Sequence, residues 1–218
     1  MSHKAELKEN ILASKLETAV VWIVERRVQV ATVLGVIVAA ALISSVFFLR
    51  HQEAVDTSRT KLGYAQSLVS QDRLTEAVPV LEDIQKSPAD TDTRRLAKFL
   101  SGVVAFGTSK TDDAIRDFGD AANMSRNHPL RPLALANLGS AYEQKQDFES
   151  AARTYTTFMS EFADHFMAPR VQLGLGRSQL LAGKKDDAKK SLEHLIDLYP
   201  TSEWAENARR LLDNTRNR

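Results

Sequence analysis

The stretch ANLGSAYEQKQDFESAARTYTTF, residues 136–158, decides the fold of this chain. In it, Gly139 stands twelve residues ahead of Ala151, and Tyr155 and Phe158 follow Ala151 at helical spacing. The polar segment KQDFES lies between the two halves and indicates a turn. The stretch therefore predicts two short helices that fold back on each other.

The pattern occurs four times, with a period of 37 residues. Four kinds of residue recur in register: an alanine (Ala77, Ala114, Ala151 and Ala188), a large apolar residue four places later (Leu81, Phe118, Tyr155 and Leu192), an apolar residue three places beyond it (Ile84, Ala121, Phe158 and Leu195), and a small residue twelve places before the alanine (Ala65, Gly102, Gly139 and Gly176). The small residues let two helices approach closely, and the large ones fill the space between them. Because one hairpin cannot bury both of its faces, we expect four stacked hairpins, an all-α solenoid over residues 50–218.

The last segment, SEWAENARRLLDN at residues 202–214, stands outside the four hairpins. Its apolar residues fall on one face of a helix and are Trp204, Ala208, Leu211 and Leu212. This pattern predicts a capping helix that covers the end of the solenoid.

Residues 28–49, VQVATVLGVIVAAALISSVFFL, contain no charged side chain and have an arginine on each side. As a helix, this segment is about 33 Å long, enough to cross a hydrocarbon core about 30 Å thick. A cleaved signal peptide is the alternative, since Ala39 and Ala41 form an A-x-A site. The apolar run continues to Leu49, however, and 27 residues precede it, which favours an uncleaved transmembrane helix.

Residues 1–27 form a tail whose apolar residues, at spacings of three to five, are Leu7, Ile11, Leu16, Val20 and Ile23. The spacing predicts an amphipathic helix that lies on the bilayer or on a partner, or else a plain helical extension. Within fifteen residues of the span, three Lys or Arg side chains lie on each side, so the positive-inside rule hardly distinguishes the two orientations. Only the adjacency of Arg26 and Arg27 and two further lysines in the tail favour a cytoplasmic N-terminus.

Charge and composition exclude several classes of function. The chain has 29 Lys and Arg against 28 Asp and Glu, so it lacks the basic surface of a nucleic-acid-binding protein. It has no cysteine, which excludes disulfides and thiolate chemistry, and no two of its five histidines have metal-site spacing. The pairs Asp112–Asp113 and Asp186–Asp187 stand at the starts of second helices, where negative charge favours the helix dipole. We therefore expect no enzyme activity, cofactor, metal or small-molecule substrate.

The repeat resembles a known family. Leu138-Gly139, Tyr142, Ala151 and Tyr155 match the tetratricopeptide pattern, and Leu175-Gly176, Ala188, Leu192 and Pro200 match it again. The copy around Gly102 departs from the pattern, with Ser101 in place of the leucine and Ala105 in place of the tyrosine. The resemblance implies a fold of stacked helical hairpins that binds proteins.

The order of the segments, a short tail, one span and about 170 residues of repeats, resembles the ancillary subunit of the bacterial Sec translocon. That resemblance implies a single-pass inner-membrane protein with a cytoplasmic N-terminus and periplasmic repeats. It also implies a chaperone-like role beside the channel, with Sec subunits, secreted polypeptides or envelope chaperones as partners. The alternative is a structural scaffold for cell-wall, cell-division or outer-membrane assembly.

The first helix of each hairpin usually lines the inner, concave surface of such a solenoid. Counted from the small residue of each copy, the predicted groove positions are Leu96, Phe99, Val103 and Phe106, then Leu133, Ala136, Ser140 and Glu143, then Arg170, Leu173, Arg177 and Leu180. An apolar floor with a few charges suits extended or helical polypeptide. Two alternatives stay open: the apolar positions of the second copy form its core, and the charged positions are solvated or salt-bridged.

Overall fold

A computed structural model describes residue 22 and residues 24–216. Within that part, the chain forms α-helices and no strand, which confirms the all-α prediction. The helices are α1 (Arg27–Ser70), α2 (Leu74–Lys86), α3 (Thr91–Gly107), α4 (Thr111–Ala122), α5 (Leu130–Gln144), α6 (Phe148–Glu161), α7 (Ala168–Leu181), α8 (Lys185–Leu198) and α9 (Glu203–Arg216). The chain divides into two compact units, Met1–Glu53 and Ala54–Arg218.

In the first unit, the apolar segment 28–49 lies within α1, which is long and apolar enough to cross a membrane. Its side chains are exposed, including Ile43 at 71% and Phe47 at 72%. A continuous apolar surface of this kind requires lipid or another protein to cover it. The predicted amphipathic tail falls on residues 1–27, of which only 22 and 24–27 are among the described residues.

In the second unit, the helices pair in sequence order: α3 packs on α4, α5 on α6, and α7 on α8. Leu62, Ala65 and Leu68 of α1 share a buried cluster with the apolar residues of α2, so these two helices form the first hairpin. Successive first helices, α3 with α5 and α5 with α7, contact each other, whereas successive second helices of the described part do not. Because the first helices are closer together, they lie on the inner side of this stack.

The recurring residues pack as the repeat predicts. The four alanines Ala77, Ala114, Ala151 and Ala188 are fully buried. A Cβ atom added to Gly102 would lie 2.9 Å from Cδ1 of Phe118, and one added to Gly176 would lie 2.5 Å from Cδ2 of Leu192. In both hairpins the neighbour is the large residue four places after the alanine. In these two hairpins, glycine therefore leaves room for a large side chain where the two helices approach each other closely, whereas the first hairpin has Ala65 at this position.

Each hairpin turn contains one residue with positive φ, again at intervals of 37 residues: Asp72 (59°), Ser109 (60°), Gln146 (63°) and Gly183 (81°). The amide of the following residue bonds back to the first helix, as in Lys110 N–H to Ala105 O at 2.8 Å and Asp147 N–H to Tyr142 O at 2.9 Å. Helices commonly end in this way, with glycine at the left-handed position. Three of the four turns instead place a side chain there, which is unfavourable for the local backbone.

The last helix, α9, closes the stack. Trp204, Leu211 and Leu212 pack against the apolar cluster that contains Leu192 and Leu195. The helix contacts α7 as well as α8, so it covers the end of both. This is the position that the sequence predicted for the capping helix.

Candidate partner-binding surface

The predicted groove positions on α3 divide between the core and the surface. Phe99 is 8% exposed, and its ring contacts that of Phe118 on α4, with the ring centroids 5.6 Å apart. Leu96, Val103 and Phe106 pack against the core but stay partly exposed. Phe99 therefore holds α3 against α4, and the other three side chains form the accessible part of this face.

On the next first helix, α5, Leu133 also packs partly exposed against the same core, whereas Ala136 is buried. Because α3 and α5 contact each other, Leu133 extends the apolar face of α3. We name Leu96, Val103, Phe106 and Leu133 the apolar row. Half-buried apolar side chains of this kind can be covered further by a bound chain, which removes their remaining surface from water.

On α7, Leu173 is 6% exposed and lies in the cluster that contains Leu192 and Leu195, so it belongs to the core rather than to an open groove. The physical reason is the capping helix, whose Ala208 completes that cluster. Leu180 packs against the same cluster but is partly exposed. Arg170 and Arg177 are exposed, so the fourth hairpin presents cations where the second presents apolar side chains.

Glu143 on α5 is the centre of a polar network that joins three helices. Arg177 of α7 donates from Nε to Oε1 at 3.0 Å and from Nη2 to Oε2 at 2.7 Å. Ser178 Oγ donates to Oε1 at 2.9 Å, and the Tyr155 hydroxyl of α6 donates to Oε2 at 3.0 Å. The Glu143 side chain is only 13% exposed. Its carboxylate is fully occupied by donors of this chain, so it links the third hairpin to the fourth.

The groups of this network shift one another's pKa values. The hydrogen bond to Glu143 raises the pKa of Arg177 above its usual value. Burial, together with the negative charge of Glu143, raises the pKa of the Tyr155 hydroxyl. Arg177 thus stays protonated and Tyr155 stays neutral at any physiological pH. Glu143 and Arg177 therefore form a salt bridge within the stack. For this pair, the structure shows the alternative in which the charged positions are salt-bridged.

Arg170 differs from Arg177 because it has no carboxylate partner in the described part of the chain. Its Nη2 donates to Ser140 Oγ at 3.3 Å, and Ser140 Oγ lies 3.2 Å from the Tyr155 hydroxyl. These three residues and Trp204 of α9 line a cavity of about 120 Å³. Arg170 is therefore the cation of this face that a bound chain can pair with.

Sequence reasoning missed two residues of this face. The repeat pattern predicts Tyr155 as a core residue, and the residue is indeed only 3% exposed, but its hydroxyl reaches both Ser140 and Glu143. The sequence predicts Trp204 only as part of the capping helix, although it also lines the cavity beside Arg170. A buried tyrosine was the available signal, because its hydroxyl usually finds a polar partner.

The paired carboxylates Asp112–Asp113 and Asp186–Asp187 lie in the first turns of α4 and α8, as the sequence predicted. Among the described residues, no group of three or more His, Asp or Glu side chains is arranged to hold a metal ion.

Comparison with known proteins agrees with this geometry. One sequence model of the tetratricopeptide repeat matches residues 99–158, and a second matches residues 170–202. Both matches lie in the hairpins α3–α4, α5–α6 and α7–α8. The chain thus contains tetratricopeptide repeats. No curated protein matches it at a significant level.

Several solved structures share the fold. A tetratricopeptide repeat protein from Parabacteroides merdae is 18% identical, with a TM-score of 0.62, over 74% of this chain and 61% of that one. The nearly identical TPR-like repeats of a candidate kinesin light chain from Podosopora anserina are 16% identical, with a TM-score of 0.57, over 73% and 93% of the chains. Pseudomonas aeruginosa pilF is 20% identical, with a TM-score of 0.53, over 70% and 66%. At these identities the likeness extends to the fold alone.

Proposed function

We propose that this chain is a membrane-anchored tetratricopeptide adaptor of the bacterial envelope that acts as a chaperone-like accessory to the Sec translocon. Its N-terminus lies in the cytoplasm, α1 crosses the inner membrane, and the repeats hold polypeptide in the periplasm. The partners are translocon subunits and the secreted chains that leave the channel.

The observation that carries this proposal is the apolar row on the inner side of the stack. Leu96, Val103, Phe106 and Leu133 come from two neighbouring first helices and all pack against one core cluster. Such a surface binds by apolar contact, which requires no defined sequence in the bound chain. This lack of specificity suits a protein that holds many different unfolded chains.

Three further features support the proposal. The exposed apolar surface of α1 is long enough to cross a bilayer, which would keep the repeats close to a membrane channel. Arg170 adds one accessible cation near the end of the stack, and it can pair with acidic residues or with the carboxyl terminus of a bound chain. The order of tail, span and repeats is also that of the Sec ancillary subunit.

The test is photo-crosslinking in living cells, with a photoreactive amino acid at Phe106 or Leu133 of the full-length chain. Lys190 is the matched control, because it is exposed on the second helix α8 rather than on a first helix. The proposal expects channel subunits and a broad set of secreted chains from both inner positions, and few adducts from Lys190.

Other results point elsewhere. A single folded envelope protein at both inner positions, without channel subunits, contradicts the Sec proposal and favours a scaffold for envelope assembly. Equal yields from Phe106 and Lys190 mean that the apolar row does not bind polypeptide.

A further inference from the structure

The cavity beside Arg170 is lined by charged side chains of one sign. It lies between α5, α6, α7 and α9 and has a volume of about 120 Å³, and none of the described residues that line it is an aspartate or a glutamate. Its charged residues are Arg170 and Arg177. Glu143 balances the charge of Arg177, because it accepts two hydrogen bonds from that guanidinium. Arg170 has no carboxylate partner in the described part of the chain, so the cavity has a net positive charge.

Arg170 lies in the first turn of α7, where a positive charge is unfavourable because the free N–H groups already make that end of the helix positive. This turn contains no acidic residue, and Met167 before it provides no side-chain cap. Two acidic residues begin the capping helix, Glu203 and Glu206, but both are exposed and neither lines the cavity. An anion bound to Arg170 would therefore compensate both the side chain and the start of the helix.

The guanidinium of Arg170 has N–H groups to spare for a ligand. A guanidinium carries several N–H donors, and the described residues accept one bond from Arg170, from Nη2 to Ser140 Oγ at 3.3 Å. This bond holds the guanidinium at Ser140, and the Trp204 ring of the capping helix lines the same cavity. A water molecule occupies about 30 Å³ in the liquid, so the cavity has room for a carboxylate but not for a large side chain. A carboxylate there would accept charge-assisted hydrogen bonds, which are stronger than neutral ones.

The cavity lies close to two members of the apolar row. Ser140 is the equivalent of Val103 in the next hairpin, 37 residues later, and α3 and α5 are in contact, so the two positions are about 8–10 Å apart. Ser140 also follows Leu133 by two turns of α5, which is about 10 Å. An extended polypeptide covers about 3.3–3.6 Å per residue. A chain on the row therefore reaches Arg170 about three residues beyond an apolar contact.

We propose that this cavity binds the carboxylate of an aspartate or glutamate side chain, in a polypeptide whose apolar residues lie on the apolar row. The acidic residue stands about three positions from an apolar one, on either side of it, since an extended chain can run in either direction. A lysine or arginine would be repelled by Arg170, and an apolar side chain would cover the guanidinium without a counter-ion. The inference rests on the polypeptide binding proposed for the row, and it adds a preference for acidic segments among the chains bound there.

The test is an NMR titration of the full-length chain in lipid nanodiscs with two peptides whose ends are blocked. The first is ESALSALSAE, in which each glutamate stands at the proposed spacing from a leucine whichever way the chain runs, and the second has glutamine in place of both glutamates. The Leu133 methyl groups report binding at the apolar row, and the Trp204 indole N–H reports binding at the cavity. We expect both peptides to shift the Leu133 signals. Only the acidic peptide should shift Trp204, and it should bind about fivefold more tightly, as for one partly exposed ion pair.

Two variants make the test specific. Arg170→Gln is expected to remove both the Trp204 shift and the advantage of the acidic peptide, while the Leu133 shifts remain. Because Arg170 is exposed, this substitution leaves the packing of the hairpins intact. Arg153→Gln is the matched control, since Arg153 is also exposed but lies on the second helix α6, and it should leave both affinities within about twofold of the unmodified chain.

Other results would overturn the inference, and they separate it from the function proposed for the row. Leu133 shifts with equal affinity for the two peptides, or an acidic advantage that survives Arg170→Gln, would contradict the carboxylate site and leave the apolar row in place. The absence of Leu133 shifts with either peptide would contradict the row and the site together. If the glutamine peptide with a free carboxyl terminus binds as tightly as the acidic one, the cavity takes the end of a chain and not a side chain.

Discussion

Gly139 on α5 lies directly against the ring of Tyr155 on α6, so that a Cβ atom at Gly139 would be 2.2 Å from Cε1 of that ring. No flexible side-chain end lies there to move aside, because the Tyr155 ring is buried and its hydroxyl is held by Ser140 and Glu143. Gly139→Ala is therefore expected to lower the free energy of unfolding by about 2 kcal/mol, through overpacking. Urea denaturation of the full chain in detergent, followed by circular dichroism, measures this loss.

Gly119 provides the matched control. It lies in the interior of α4, and no heavy atom of the described residues would be within 4 Å of an added Cβ. Gly119→Ala should raise the free energy of unfolding by up to about 1 kcal/mol, because alanine is the better helix former. The same sign for both substitutions would contradict the close approach at Gly139.

The Glu143 network yields a second prediction. Glu143→Ala removes the acceptor of four hydrogen bonds that join α5 to α6 and α7. We expect a loss of about 2 kcal/mol in the free energy of unfolding, since hydrogen bonds to a charged group contribute more than neutral ones. Chemical denaturation of the two proteins side by side measures the difference.

A control for charge alone is Glu149→Ala. Glu149 on α6 also pairs with a later hairpin, through Lys184 at 3.5 Å, but its side chain is 60% exposed. Its removal should cost less than about 0.5 kcal/mol. If both variants lose the same small amount, the Glu143 network does not hold the third and fourth hairpins together.

The buried face of the second helices followed directly from the sequence. A small residue, then large residues one and two turns later, suits a helix only if that face is packed, and Ala151, Tyr155 and Phe158 are all buried. The first helices were harder to interpret. Phe99 is apolar whether it faces a groove or the core, and only its contact with Phe118 decides between the two.

Other features depend on residues far apart in the sequence. Glu143 finds its donors at positions 155, 177 and 178, on two other helices, so no local pattern identifies it as a link between hairpins. The left-handed turn residues were also not predictable, because Gly183 is the one glycine among the four positions. Stacking imposes the same turn on Asp72, Ser109 and Gln146 against their own preference.

That conflict leads to a third prediction. Gln146 has φ 63° in the turn between α5 and α6, a conformation that glycine adopts without a steric cost. Gln146→Gly should raise the free energy of unfolding by about 0.5–1 kcal/mol, even though it makes the unfolded chain more flexible. Gly183→Ala, at the equivalent turn, should lower it by about 1 kcal/mol. Thermal and urea denaturation of both variants provide the check, and destabilisation by Gln146→Gly would be contrary to this interpretation of the turn.

A fourth prediction concerns pH. Asp90 caps α3, accepting the amide of Thr93 at 2.9 Å, the Thr93 hydroxyl at 2.8 Å and Nε of Arg59 at 2.9 Å. The bonds from Thr93, and then Arg59, lower the pKa of Asp90 well below its usual value of 3.8. As the pH falls, the Asp90 carboxylate of the unfolded chain therefore binds a proton at a higher pH than that of the folded chain does. The stabilisation is present above about pH 4 and is lost as the pH falls through the folded pKa.

Asp90→Ala should therefore lower the free energy of unfolding by about 1 kcal/mol at pH 7, and by progressively less below pH 4. Asp92→Ala is the control, because Asp92 lies in the same first turn but has an 85% exposed side chain. Urea denaturation from pH 7 to pH 2.5 measures both. If the difference in the free energy of unfolding between Asp90→Ala and the unmodified chain instead grows on acidification, the pH dependence predicted from the capping bonds is wrong.

The proposed topology can be tested because the chain has no cysteine of its own. Lys190→Cys places a single thiol at an exposed position on α8, and Ser2→Cys places one in the N-terminal tail. With the repeats in the periplasm, a membrane-impermeant maleimide should label Cys at position 190 in intact spheroplasts and Cys at position 2 only after lysis. Labelling is read as a mass shift of the purified protein. The opposite pattern would place the repeats in the cytoplasm, where secreted chains cannot reach the apolar row after they leave the channel, and would exclude the proposed function.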